Sequence, residues 1–214
     1  YMKNKLKYMA LCLSLLIGVG ACSEEEIAYS AGEENKEVIL QLNCQLQTNQ
    51  EVIVSRASTA ENRLNDLHFY VFNAAGELTG YKKLVATESS PIPTPGPETV
   101  TVKAITGEAY IYALANLNST IYYLDDADKN KLTGIDEADV AGSSLTRDEF
   151  LAIDFKRQYG NASHIISPNP TDGQFMMSGY LNGGKAVTIT AGTNGAGVIS
   201  ESNVIRLYRI LAKN

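Results

Sequence analysis

Few residues in this chain can do chemistry, and the most telling of them is a thiol. The sequence has 214 residues and three cysteines, Cys12, Cys22 and Cys44. Cys22 stands where acyl transfer to sulfur is expected. Lys3, Lys5 and Lys7 precede an apolar run over 9–17, and Gly18, Gly20 and Ala21 then lead into Cys22, with Val19 three positions before it. A basic start, an apolar stretch too short to span a bilayer and small residues ahead of a cysteine make up the bacterial lipoprotein signal. In that reading residues 1–21 are removed and Cys22, diacylated on sulfur, becomes a new N-terminus that is acylated again. Each buried methylene contributes roughly 0.8 kcal/mol, so three acyl chains hold such a protein on its membrane. A spanning helix fits poorly, given the length, the glycines and the abrupt polarity of Ser23, Glu24, Glu25 and Glu26.

The remaining candidates are weaker. Asp126, Asp128 and Asn130, with Glu137 at the twelfth position, have the spacing of oxygen ligands in a calcium loop. Lys131, however, occupies the place where glycine permits the sharp turn, and Thr133 replaces an apolar residue, which favours a solvated acidic loop. The two histidines are His68, on an alternating segment and expected at a surface or sheet edge, and His164, in a polar loop. There is no nucleophile elbow, no phosphate-cradling glycine loop and no His-x-x-x-His pair. No catalytic residue, metal or cofactor is therefore assigned, and the expectation is a protein that is not an enzyme. The 12 tyrosines read as sheet-packing residues rather than a carbohydrate platform.

Composition narrows the field further. Removing residues 1–21 leaves 193 residues with 15 basic and 24 acidic side chains, a net charge of −9. An acidic surface without a basic stripe argues against nucleic acid and against charge-driven binding to anionic lipid. Cys12 leaves with the signal and Cys22 is acylated, so Cys44 is the one remaining thiol and no intrachain disulfide forms.

The elements that position these residues are mostly strands. Residues 22–36 form an acidic, aperiodic tether. Val38, Leu40, Leu42, Cys44 and Leu46 then alternate with Ile39, Gln41, Asn43, Gln45 and Gln47, the clearest period-two segment in the chain. A second strand covers 67–72, closes at Asn73-Ala74-Ala75-Gly76, and has a hairpin partner over 78–85. Four prolines within 89–97 mark an exposed loop. Strands follow over 99–105 and 109–115, around a turn at Thr106-Gly107-Glu108. Residues 124–153 are acidic, and Thr146-Arg147-Asp148-Glu149 opens a short helix with a capping box. Strands resume over 175–181 and 186–190. The segment 204–212 fits a helix face or an interrupted strand. The spacing of strand starts suggests a sandwich.

Four of these segments, in order, resemble the N-terminal half of fimbrillins, the pilus subunits of Bacteroidales-type anaerobes. The first is the lipoprotein signal, whose following Glu24-Glu25-Glu26 resembles the surface-export signal of lipoproteins from those bacteria. The second is Ser55-Arg56-Ala57 ahead of Leu67-His68-Phe69-Tyr70-Val71-Phe72-Asn73. The third is the segment 109–116, ending in Ala115-Asn116. The fourth is Phe175-Met176-Met177-Ser178-Gly179, followed by 206–213 with its Arg209-x-x-Ala212-Lys213 ending.

The resemblance implies an all-β fold with a short helix, a transthyretin-like Greek-key β-sandwich that is the N-terminal fimbrillin domain over 37–214. It implies a surface-exposed lipoprotein of the outer membrane, held by its lipid anchor, and a partner protease that is arginine-specific. That protease would cut between Arg56 and Ala57, with Arg63 the other basic residue of the linker, and release the first strand over 37–47. Other fimbrial subunits would then dock by strand exchange, building a fimbria that supports adhesion. Such a cut would also remove Cys44. Tyr1 in place of methionine, and an end at Asn214 just after the first-domain closing motif, imply a fragment or a variant without the donor half. The alternative is a surface lipoprotein that does not polymerise and binds glycan or host protein through loops such as 89–97 and 124–144.

Overall fold

The period-two segment at 37–47 forms a strand, and much of the architecture is arranged about it. A computed structural model describes residues 35–47, 63–93, 96–97, 99–117, 122–123, 126–153, 156–157 and 176–209, all within the unit Gly32–Asn214. The elements are strands β1 (Glu37–Leu46), β2 (Asp66–Asn73), β3 (Leu78–Val85), β4 (Val100–Ile105), β5 (Gly107–Ala115) and β6 (Tyr122–Tyr123), helices α1 (Asp126–Thr133) and α2 (Arg147–Ala152), and strands β7 (Lys156–Arg157), β8 (Met177–Tyr180), β9 (Val187–Ala191), β10 (Gly197–Ile199) and β11 (Val204–Arg209). Among the described residues this is a β-sandwich with two short α-helices.

Nine strands share one hydrogen-bonded network in the order β10-β9-β5-β8-β11-β1-β4, with β2 joined to β5 and β3 beyond β2. The β2–β3 hairpin turns where the sequence predicts: Gly76 has φ +82°, and the Asn73 side-chain oxygen accepts from the Glu77 N–H at 2.9 Å. β4 and β5 follow one another through Thr106 alone but do not pair. β4 pairs with β1, whereas β5 runs between β2 on one side and β8 and β9 on the other. The closing segment is a strand, since β11 lies between β8 and β1 and must alternate. Ile205 and Leu207 are accordingly buried, while Arg206 and Tyr208 face outward.

Two apolar cores result. The first lies within the sandwich and takes side chains from β1, β2, β4, β5, β8, β9 and β11. The second lies on the other face of β2, β3 and β5, where Tyr70, Phe72, Tyr81 and Tyr112 meet Leu132 of α1 and Phe150 of α2. Phe150 is its hub, with ring centroids 4.9 Å from Tyr70, 5.4 Å from Phe72 and 5.1 Å from Tyr112. The helix that carries it has the predicted capping box: Thr146 accepts from the Glu149 N–H at 3.2 Å, and the Glu149 carboxylate accepts from the Thr146 N–H at 3.1 Å. Arg147 pins the same helix by lying 3.7 Å over the Tyr110 ring and donating to the Tyr112 hydroxyl at 2.9 Å.

This second layer overturns one expectation and redraws another segment. His68 does not lie at a surface or edge; it is fully buried, because β2 is covered on both faces. Its Nδ1 is 2.8 Å from the Tyr81 hydroxyl and its Nε2 is 3.3 Å from the Asp66 carboxylate. The 126–137 segment is not a calcium loop either. Its first part is helix α1, which winds Asp126, Asp128 and Asn130 around an axis instead of converging them. Glu137 is engaged elsewhere, accepting from the Lys82 ammonium and the Lys83 N–H, both at 2.8 Å. Burial opposes ionisation of that carboxyl, but these donors outweigh it and hold its pKa below the usual carboxylate range. Among the described residues, no group of three His, Cys, Asp or Glu is placed to hold a metal. The proline-rich loop is also less exposed than expected, since Ile92 and Pro97 are buried.

Candidate functional site

Strand β1 lies in a groove that buries its inward face and pairs its backbone on both sides. Its alternation is complete: Val38, Leu40, Leu42, Cys44 and Leu46 all point into the first core. Glu37, Ile39, Gln41 and Gln45 face outward. Five apolar side chains, each contributing about 1.5–3 kcal/mol on burial, put roughly 8–15 kcal/mol on this one strand.

The backbone of β1 is held on both sides, and its partners change halfway along. Glu37 through Leu42 pair antiparallel with β4 in the register Glu37↔Ile105 to Leu42↔Val100. Asn43 through Leu46 pair parallel with β11, from Asn43↔Val204 to Leu46↔Leu207. Where β4 ends, the 96–97 loop takes over, and the Cys44 N–H donates to the Pro97 carbonyl at 3.3 Å. Gly96 makes this approach possible, since a Cβ there would lie 2.2 Å from the Cys44 carbonyl oxygen. Before β11 begins, Asn203 bridges the gap: its side-chain N–H₂ donates to the Gln41 carbonyl at 3.0 Å, and its own carbonyl accepts from the Asn43 N–H at 2.9 Å. A parallel bridge, Ile39↔Ala196, brings the start of β10 alongside. Gly197 lets that chain cross the β1 side chains, because a Cβ would sit 2.6 Å from Leu40 Cδ2 and 2.8 Å from Val38 Cγ2.

The chemistry this arrangement offers is backbone pairing and apolar burial. Cys44 is inert in place, since burial pushes its thiol up to about 12, only partly offset by the Gln45 N–H. A strand absent from this groove would leave β4 and β11 with unpaired edges and the first core open, a template for another extended chain.

Of the sequence-predicted site residues, Cys22, Arg56, Ala57 and His164 lie outside the described residues, as does most of the tether. Arg63 is described and stands just ahead of β2. The sequence reading missed Asn203, Gly96 with Pro97, and Gly197 as contributors to the groove. Gly96, within the proline-rich stretch, carried a turn signal but none for its target. Asn203 and Gly197 act across more than 150 positions of sequence and left no local trace. Among the described residues, no helix is long and apolar enough to cross a membrane.

Residues 41–209 match the family model described as major fimbrial subunit protein (FimA). No curated protein matches the sequence. Solved structures similar to the chain include the tip fimbrial protein Mfa3 from Porphyromonas gingivalis with C-terminal truncation, at 17% identity and TM-score 0.49, covering 81% of this chain and 48% of that one. Another is the fimbrial anchor protein Mfa2 from Porphyromonas gingivalis, at 12% identity and TM-score 0.40, covering 79% and 49%. A third is a fimbrilin (FimA) from Porphyromonas gingivalis W83, at 16% identity and TM-score 0.37, covering 83% and 40%. The chain therefore spans less than half the length of each of these structures.

Proposed function

Because this chain belongs to the major fimbrial subunit protein (FimA) family, we propose that it is a structural subunit, or accessory subunit, of a cell-surface fimbria, assembled by exchange of strand β1. In this reading Cys22 carries the lipid anchor that brings the precursor to the outer membrane surface. An arginine-specific protease then hydrolyses the Arg56–Ala57 bond. Water adds across the peptide, leaving a carboxylate on Arg56 and a free amine on Ala57. The cut separates the anchor and β1 from the body, and the vacated groove receives a strand from a sibling subunit. The chain is a scaffold and adhesin component rather than an enzyme.

One observation carries this proposal: β1 is a continuous strand whose five core side chains and both backbone edges are engaged, yet it precedes β2 by 19 residues, 47–65, that include Arg56 and Arg63. A single cut there converts an intramolecular strand into an exchangeable one.

The test uses the full chain with trypsin and a synthetic peptide of residues 37–47. Nicked protein should take up labelled peptide stoichiometrically, and intact protein should not. Arg56→Ala should remain intact and monomeric. Nicked protein that keeps its own strand and excludes the peptide under all conditions defeats the proposal. A second reading, a non-polymerising glycan-binding lipoprotein, draws support from Tyr180 and Tyr208, which are 50% and 42% exposed on neighbouring strands with Arg206 opposite Tyr180. Glycan affinity lost in Tyr180→Ala, together with no peptide uptake, would favour it.

A further inference from the structure

Two arginines lie between β1 and β2, Arg56 and Arg63, and the surroundings of Arg63 bear on which bond a protease can reach. Arg63 itself is exposed, but the residue after it, Leu64, is 1% exposed and belongs to the first core. The carbonyl of Arg63 accepts from the Asn116 side-chain N–H₂ at 3.0 Å. The same side chain accepts from the Asn65 N–H through its oxygen at 2.8 Å. Asn116 is fully buried and has φ +59°, a left-handed conformation that asparagine tolerates. Its own N–H donates to the Asp66 carbonyl at 3.1 Å, and the following Leu117 N–H donates to the Asp66 carboxylate at 2.8 Å. The stretch 63–66 is thus bound to the end of β5 through both backbone and side chains.

We propose that Asn116 is a clasp that closes the Arg63–Leu64 bond to arginine-directed proteases, so that the body keeps its β2 lead-in and severing falls on the remaining arginine of the linker, Arg56. This rests on the strand-exchange reading and adds the selection between its two candidate bonds. A protease must hold several residues on each side of the scissile bond in an extended, unpaired form. After Arg63 those residues are Leu64, Asn65, Asp66 and Leu67, of which all but Asn65 are buried, and β2 sits between β3 and β5. Reaching the bond means unpacking the start of a central strand, whose openings are rare. The clasp also keeps the body seated from residue 63 onward.

The experiment follows trypsin digestion of the full chain by mass spectrometry, scoring products that begin at Ala57 and at Leu64. The bond after Lys82, on β3 and away from the groove, reports global unfolding. Products beginning at Leu64 should lag those beginning at Ala57 by roughly 100-fold, the scale expected when cleavage waits for a local opening. Arg56→Ala should remove cutting between β1 and β2 on the same timescale. Asn116→Ala, and less severely Asn116→Asp, should speed the Leu64 product by at least about tenfold, with Lys82 still protected. Equal rates at the two arginines in the wild-type chain, or rapid cutting after Arg63 in Arg56→Ala, overturn the proposal. Protection that falls in the Asn116 variants only together with Lys82 removes the role given to Asn116. A chain cut after Arg56 that never assembles defeats strand exchange and leaves the clasp standing. A chain cut after Arg63 that does assemble does the reverse.

Discussion

Replacing Leu40 by alanine tests whether β1 is held by its inward face. Leu40 is fully buried, and the Gly197 position lies close to its Cδ2. Truncating a fully buried leucine removes its transfer energy and leaves a cavity that glycine at 197 cannot fill, a cost of about 3–5 kcal/mol. Ile39 is the matched control on the same strand, since its side chain points outward and is 39% exposed. Ile39→Ala should cost about 1 kcal/mol or less, because little area changes environment. Urea unfolding of the intact chains gives the equilibrium difference. In nicked protein, where β1 is held without a covalent link, the same loss should appear as a roughly 10²–10⁴-fold weaker hold on the strand. Ile39→Ala should change it by less than about tenfold. Equal costs for the two substitutions, or a Leu40→Ala cost below about 1 kcal/mol, would refute the reasoning that the core-facing stripe retains the strand.

Two further outcomes follow from the same groove. The Cys44 thiol has its pKa raised from 9.0 to about 12 by burial, so the folded chain holds a proton that the unfolded chain releases. The associated stability is complete below about pH 9 and is lost as pH rises from there toward about 12, by up to roughly 1.4 kcal/mol per pH unit. Denaturation midpoints of wild type and Cys44→Ala should therefore converge across that window, and parallel curves would count against the burial of the thiol. Gly197→Ala should destabilise the fold by about 1–3 kcal/mol through overpacking against Leu40 and the stiffer Val38. The double variant with Leu40→Ala should cost less than the sum of the two single changes, and strict additivity would show that the side chains do not meet.

What the sequence made legible was whatever is written within a few residues. The alternation of 37–47, the Asn73 to Gly76 turn, the exact span of β3 and the capping box at Thr146 all depend on neighbours, and all appear in the structure. His68 went wrong because burial of a strand's second face depends on what packs over it, and here α1, α2 and their loops supply the cover. α1 went unread because Asp, Lys and Asn at 126–131 give little apolar periodicity, with Leu132 the one buried residue on the helix. The groove was half legible. The strand that fills it announces itself by period two, whereas the parallel partner β11, the Asn203 bridge and the Gly96 approach are set by topology. Cys22 and Arg56, proposed here for lipidation and cleavage, are motif readings and lie outside the described residues.

The division into two cores bears on how such a subunit could lose a strand and remain a body able to accept another. The first core counts five β1 side chains among its members, so removing β1 opens it at once. The second core contains no residue of β1. It joins β2, β3 and β5 to α1 and α2 through Phe150, through the bond from the Tyr70 hydroxyl to the Leu132 carbonyl at 2.9 Å, and through Arg147. β2 and β5 also keep their full mutual ladder, Leu67↔Ala115 to Asn73↔Ala109. The sheet that lines one wall of the groove is therefore braced from behind by contacts that do not depend on the strand in front. A single-core sandwich would collapse or unfold as one unit when it lost about 8–15 kcal/mol of burial. Here the loss falls on one face of β2 and β5 while the other face holds them in register. Destabilising the second core alone, rather than the groove, should accordingly leave β1 seated in the intact chain but cost the nicked body its capacity to be refilled.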